Sequence, residues 1–245
     1  MGRPLSRRLA LLGGAVVVLI TAGLNPSVAA APTSIYLVQG LPDRTVSVSV
    51  DDTVVDSLDG GEVAGPFPVT SGTHTVTVSA DGETLVSSEV QLAPDSSSEI
   101  VIHLPASPTG DPMITRFTNN LDAVQNGRAA QSVAHVAAAG PIDIRVDEDV
   151  VSANLANGEY TYKVVPAGTS SVDIVQAGRS EPLLGPFDNT LAEGTMNWVF
   201  VVGVPGQNLA TIRHDISVGG STGSSRPADV GTGTGGQAAK LSEGS

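Results

Sequence analysis

Ten residues are written twice in this chain. VSVSVDDTVV (46–55) and IDIRVDEDVV (142–151) stand 96 positions apart. In the first, Val46, Val48 and Val50 alternate with serines; in the second, Ile142, Ile144 and Val146 take the same places. A period of two makes a strand with one apolar face. Asp51-Asp52 and Asp147-Glu148-Asp149 then interrupt the pattern, and Val54-Val55 and Val150-Val151 resume it. Acidic residues tolerate the left-handed backbone of a tight hairpin, so both segments read as strand, turn, strand.

The correspondence continues in the same order. VTSGTHTVTV (69–78) matches VPAGTSSVDI (165–174) at the same spacing, with Gly72 and Gly168 where a turn calls for positive φ. EIVIHLP (99–105) matches VFVVGVP (199–205) at an offset of 100, which places an insertion of four residues in GPFDNTLAEGT. MITRFTN (113–119) and LATIRHD (209–215) follow as further strands. The chain therefore reads as a duplication, each copy supplying seven or eight short strands separated by turns. The composition agrees. The hydrophobic fraction is 40% but aromatics are 3%, so Val, Ala, Leu and Ile carry the apolar surface. Val favours pleated surfaces, and 28 Gly and 16 Pro supply turns. The expected fold is all-β: two tandem antiparallel β-sandwiches of immunoglobulin-like size. The expected bounds are 34–120 for the first module, 121–131 for a connector and 132–218 for the second. GPF at 65–67 and 185–187 is expected to mark strand entries, where Pro suits an edge.

The two ends read differently. Arg3, Arg7 and Arg8 precede an apolar run from Leu9 to Leu24, and NPSVAAAP follows. That is the anatomy of an export signal over residues 1–31, with cleavage after Ala29, Ala30 or Ala31. The sixteen-residue run is shorter than the roughly 20 residues that span a bilayer. Cleavage would remove three arginines and take the net charge from −13 to −16. Residues 219–245 are mostly Gly, Ser, Thr and Ala and cannot offset their ordering entropy, so a disordered tail is expected. The tail shows no sorting motif or apolar helix, so no anchor is expected after cleavage. The chain is expected to be secreted, loosely associated with the cell wall at most.

SVAHVAAAGPIDIRVDEDVV followed by VVPAGTSSVDIV resembles a secreted bacterial family, the domain of unknown function numbered 4397. His135, Asp143, Asp147 and Pro166-Ala167-Gly168-Thr169 carry the likeness. The first copy keeps Pro42-Asp43 but has Gln39 for the His, Ser47 for the first Asp, Asp52 for the turn Gly and Ser71 for the Ala. The resemblance implies export and a β-sandwich, and carries over no catalytic residue.

Little in the chain points to chemistry. Without cysteine there are no disulfides, thiolate ligands or Cys nucleophiles. The acidic balance disfavours nucleic acid and anionic membranes as partners. The four histidines, His74, His103, His135 and His214, form no H-x-x-x-H or H-E-x-x-H pattern, and no G-x-S-x-G is present. His74 is expected to face solvent, His103 to point away from Ile102 and Leu104, and His135 to make a buried hydrogen bond at a strand end. A hydrolase would need His135 or His214 beside a carboxylate in a pocket. The acidic turns could hold calcium, but no EF-hand spacing follows, and a solvated turn is the simpler reading. Tyr160 and Tyr162, two apart on one strand, form either a small stacking platform or edge packing. Tyr160, Tyr162 and His135 are the candidate surface contacts. No cofactor, metal or catalytic residue is expected. The expected function is binding in the cell envelope, to an unidentified envelope or protein partner, with a spacer as the alternative.

Overall fold

The computed structural model describes residues 32–218 and 220–221. The expected signal segment, and the tail beyond Ser221, lie outside them. The described residues are all strand, turn and loop.

The first half contains β1 (Ser34–Gln39), β2 (Val46–Val50), β3 (Thr53–Leu58), β4 (Val63–Pro68), β5 (Gly72–Ala80), β6 (Glu83–Leu92), β7 (Ser97–His103) and β8 (Met113–Thr118). A two-residue strand, β9 (Val124–Gln125), follows. The second half contains β10 (Arg128–His135), β11 (Ile142–Val146), β12 (Asp149–Leu155), β13 (Tyr160–Pro166), β14 (Gly168–Gln176), β15 (Pro182–Leu191), β16 (Thr195–Val202) and β17 (Ala210–Ser217), then β18 (Gly220–Ser221).

Both halves build the same pair of sheets. The first has orders β4-β1-β7-β8 and β3-β2-β5-β6; the second has β13-β10-β16-β17 and β12-β11-β14-β15. Position for position these are one topology. Within these four sheets pairing is antiparallel except for β1 with β7 and β10 with β16, which run parallel. The two expected antiparallel sandwiches are present, each with one parallel pairing, because the first and seventh strands, far apart in sequence, enter their sheet in the same direction.

The turns follow from local chemistry. Asp51-Asp52 and Asp147-Glu148 have φ of 49°, 64°, 50° and 73°, the consecutive positive values of a tight two-residue hairpin. The second turn is one residue shorter than expected, since Asp149 already belongs to β12. Each turn is tied to a neighbouring strand by its first carboxylate. Asp51 Oδ1 accepts from the Thr75 N–H, and Asp147 Oδ1 accepts from the Ser171 N–H. Gly72 and Gly168 have φ of 131° and 138°, values that disfavour a side chain.

Register corrects the expected alignment. Ser34 pairs with Ser97, and Ala130 pairs with Met196. The seventh strands therefore correspond at an offset of 99, not 100, and Glu99 matches Trp198. Burial agrees: Ile100 and Ile102 enter one sandwich core, as Val199 and Val201 enter the other. A slip of one residue would turn every one of these side chains to the wrong face. The inserted residues number three and lie between β14 and β15, where 177–181 replaces the two-residue turn Asp81-Gly82. The GPF segments are also not equivalent. Pro66 lies within β4 and Pro186 within β15, both edge strands, rather than at strand entries. Edges tolerate the missing N–H.

The two sandwiches are joined face to face. Residues alternate on β1 and β7 so that Ile35, Leu37, Ile100 and Ile102 fill the first sandwich. Val38 and Val101 point the other way, against Ala130, Ala134, Trp198 and Phe200 of the second. Val133, Val199 and Val201 fill the second sandwich from the opposite face of that sheet. The result is four stacked sheets with three cores. All seven residues of β7 are buried, and seven of the eight in β16, because both faces of these strands are covered. The expected connector 121–131 is shorter than anticipated, since β10 begins at Arg128. The start of the expected tail is also ordered: Gly220 and Ser221 pair in parallel with Val124 and Gln125.

Candidate functional site

His135 is not a surface contact. Its side chain is 0% exposed. Nδ1 accepts from the Ala137 N–H at 3.4 Å, and Nε2 donates to the Gly140 carbonyl at 3.1 Å. Gln39 occupies the corresponding end of β1. Its Oε1 accepts from the Leu41 N–H at 3.1 Å, and its Nε2 donates to the Arg44 carbonyl at 3.0 Å. Each side chain accepts from the N–H two residues on and donates to the carbonyl five residues on, so imidazole and amide perform the same loop clamp. Burial holds the His135 pKa below its ordinary value, so the ring is neutral near pH 7. Neutrality of a buried base stabilises the fold above its unfolded pKa of about 6.5, and this contribution is lost as pH falls below that value. His135→Gln is therefore expected to keep stability within about 1 kcal/mol at pH 7 and to lose less of it below pH 6. His135→Ala, which strands the Ala137 N–H, is expected to cost about 1–3 kcal/mol. Chemical denaturation of the three proteins at pH 7 and pH 5 checks this; an Ala variant as stable as the Gln variant would remove the clamp.

His74 is buried rather than solvent-facing. Nδ1 meets Asp51 Oδ2 at 2.6 Å and Nε2 meets the Thr70 carbonyl at 2.8 Å. The hydrogen bond that His74 donates to Asp51 raises the His74 pKa, and the same bond lowers that of Asp51. His103 does point away from Ile102, as expected. It is buried between the sandwiches, bonded to the Leu104 carbonyl and Thr115 Oγ1, and burial lowers its pKa.

The interface between the sandwiches holds the most unusual chemistry. Glu99, on β7, is 0% exposed. Its Oε1 accepts from Asn119 Nδ2 and from His214 Nδ1 of β17, each at 3.0 Å. Its Oε2 has no hydrogen-bond partner among the described residues. The Tyr36 ring lies 4.2 Å from that of His214, and burial, then Glu99, raise the Tyr36 pKa. Asn119 also donates to Ser97 Oγ at 2.9 Å and accepts from Trp198 Nε1 at 2.6 Å. His214 thus lies beside a carboxylate, as a hydrolase reading would require. Glu99 is fully buried and His214 only slightly exposed, however, and among the described residues no hydroxyl hydrogen-bonds His214. Sequence reasoning missed Glu99 and Asn119; a Glu and a His bracketing the apolar IVI of β7 were the available signal.

Beside this network a cleft of about 540 Å³ opens to solvent. Ser97 and Asn119 of the first sandwich line it, Asp95 and Asp122 are in its walls, and Tyr160 of the second sandwich faces it. Tyr160 is 47% exposed. The rest of its ring packs at 5.5 Å from Phe117 and 5.4 Å from Trp198. Tyr162 does not join it. It is half-buried against the interface core, and burial, then Asp122, raise its pKa. The two-tyrosine platform is therefore a single aromatic face. In the cleft, a half-exposed aromatic ring packed on Phe117 and Trp198 stands next to amide, hydroxyl and carboxylate groups, which suits a ligand that both stacks and hydrogen-bonds.

No curated protein matches the chain. Residues 33–145, which span the first sandwich, β9, β10 and most of β11, match the model of a family described as a domain of unknown function, DUF4397.

Proposed function

We propose that this chain is an exported, non-catalytic binding protein of the cell envelope, built from two copies of one module fused into a single body. The shared strand order, the paired acidic turns and the Gln39 and His135 clamps support the duplication. The observation that carries the binding role is Tyr160, held rigid by Phe117 and Trp198 and half-exposed in the cleft beside Asn119. Its neighbours exclude phosphate-rich ligands, since Asp95 and Asp122 would repel them. A hydroxyl-rich saccharide is the class that fits: one sugar face stacks on the ring while Thr118, Asn120 and the carboxylates, which also line the cleft, hydrogen-bond its edge.

Residues 32–245 are expected to co-pellet saturably with isolated wall polysaccharide or peptidoglycan. Tyr160→Ala is expected to weaken that binding about five- to tenfold, the loss of one aromatic stacking contact. Tyr160→Phe should retain most of it. Equal pelleting by the Ala variant would move the ligand elsewhere on the surface. Absence of pelleting with every envelope fraction would favour the spacer role.

A further inference from the structure

The second sandwich is open along one side. β12 is the edge of one of its sheets and β13 the edge of the other. Between them runs a groove of about 340 Å³ walled by Val146, Val151, Val165 and Leu191. A small void of about 30 Å³ continues inward to Val133, Ile144 and Val172, which are core residues. The apolar interior of this sandwich therefore reaches the surface.

The first sandwich is plugged at the same place. Ile35 of β1 pairs with Phe67 of β4, and both pack into its core. The corresponding pair in the second sandwich is Gln131 of β10 with Lys163 of β13. Two apolar side chains have become an amide and an ammonium, and both line the groove. Lys163 Nζ donates to the Val151 carbonyl, so the lysine straps β13 to β12 across the opening. The chain has only two lysines, and Lys163 is the one among the described residues. A cation kept at the mouth of an apolar groove in a chain of net charge −13 asks for an anionic partner there. Asp147 also lines the groove, its Oδ1 held by the Ser171 N–H. One cation and one carboxylate of the protein in the same lining admit a monoanion and disfavour a dianion.

We propose that this groove binds a single alkyl chain ending in a carboxylate. The chain lies along the valines and Leu191. The carboxylate takes the Lys163 ammonium from the Val151 carbonyl, and the Gln131 amide N–H is a second donor. The groove lies at the small end of the roughly 300–1,000 Å³ range of ligand pockets, which suits a short chain and not a folded partner. This site is separate from the Tyr160 cleft and does not depend on it.

Decanoate, below its micellar concentration, is the probe, titrated calorimetrically into the purified chain at pH 7. Decanol and decyl phosphate are the headgroup comparisons. One saturable site is expected for decanoate, with decanol and decyl phosphate each weaker. Lys163→Met keeps the apolar stem and is expected to weaken decanoate about tenfold through loss of the charge-assisted hydrogen bond. Gln131→Ile with Lys163→Phe, which restores the plug of the first sandwich, is expected to abolish binding while the melting temperature holds or rises. That melting temperature separates a filled groove from a misfolded one. The proposal fails if decanoate does not bind, if either variant binds it as the parent does, or if decyl phosphate binds more tightly than decanoate.

Discussion

Trp198→Ala is expected to lower the free energy of unfolding by about 3–5 kcal/mol, the range for deleting a buried large aromatic. It is also expected to loosen both sandwiches, not one. Trp198 is the single tryptophan of the chain and is 0% exposed. Its ring stacks on Phe200 at 5.2 Å within its own sandwich and lies 5.5 Å from Phe117 of the other. Its Nε1 donates to Asn119, the residue that also holds Ser97 and Glu99. Alanine would leave a cavity between the sandwiches, strand the Asn119 carbonyl and free the side chain that fixes Glu99. Trp198→Phe keeps most of the packing and loses the N–H, so it should cost less, about 1–3 kcal/mol. Denaturation of the parent followed by tryptophan fluorescence, which reports the interface, and by far-ultraviolet circular dichroism, which reports all the sheets, should give one coincident transition. Two separated transitions, or an Ala variant within 1 kcal/mol of the parent, would mean that the sandwiches fold independently and that the interface is incidental.

What could be read from the residues alone was local. Val46, Val48 and Val50 alternate because β2 has one face in the core and one outside, and period two is visible only in such strands. Asp51-Asp52 and Gly72 announced their turns because positive φ restricts the choice of residue. The larger errors share one cause, contacts distant in sequence. β7 and β16 lost their alternation because both faces are buried, which is why the offset between them came out one residue wrong. His74 looked like a solvent-side residue of an alternating strand, and the partner that stabilises it inside is Asp51, 23 residues away. From the sequence, His135 is expected both to make a buried hydrogen bond at its strand end and to contact the surface; the bonds to Gly140 and Ala137 are there, and full burial rules out the contact. The cleft was half visible. Tyr160 could be named, but Ser97 and Asn119 belong to the other sandwich and become neighbours only through the face-to-face packing.

His214→Leu is expected to cost about 3 kcal/mol, and adding Glu99→Gln is expected to recover most of it. Breaking a buried ion or hydrogen-bonded pair by removing one partner costs about 3–5 kcal/mol because the other is left desolvated and uncompensated. Glu99 meets that condition: it is 0% exposed, and after loss of His214 its carboxylate would keep only the Asn119 amide as donor. His214 retains some solvent contact, which places the effect at the low end. Glutamine carries no charge to desolvate, so the double variant should be far less destabilised than the single effects added together. A double-mutant cycle on unfolding free energies measures that coupling. Additive effects would mean that the carboxylate finds water within the interface. The pair also bears on how the halves recognise each other. Glu99 pairs in register with Phe117 on β7 and β8, and Trp198 pairs with His214 on β16 and β17. Across the interface, Glu99 of the first half meets His214 of the second, and Phe117 meets Trp198. Two first halves docked by the same face would set Glu99 against Phe117 and leave a buried carboxylate with no donor from the partner. The penalty that makes His214→Leu costly is therefore the same penalty that opposes self-association of the first sandwich, and it directs that face to the second half of its own chain.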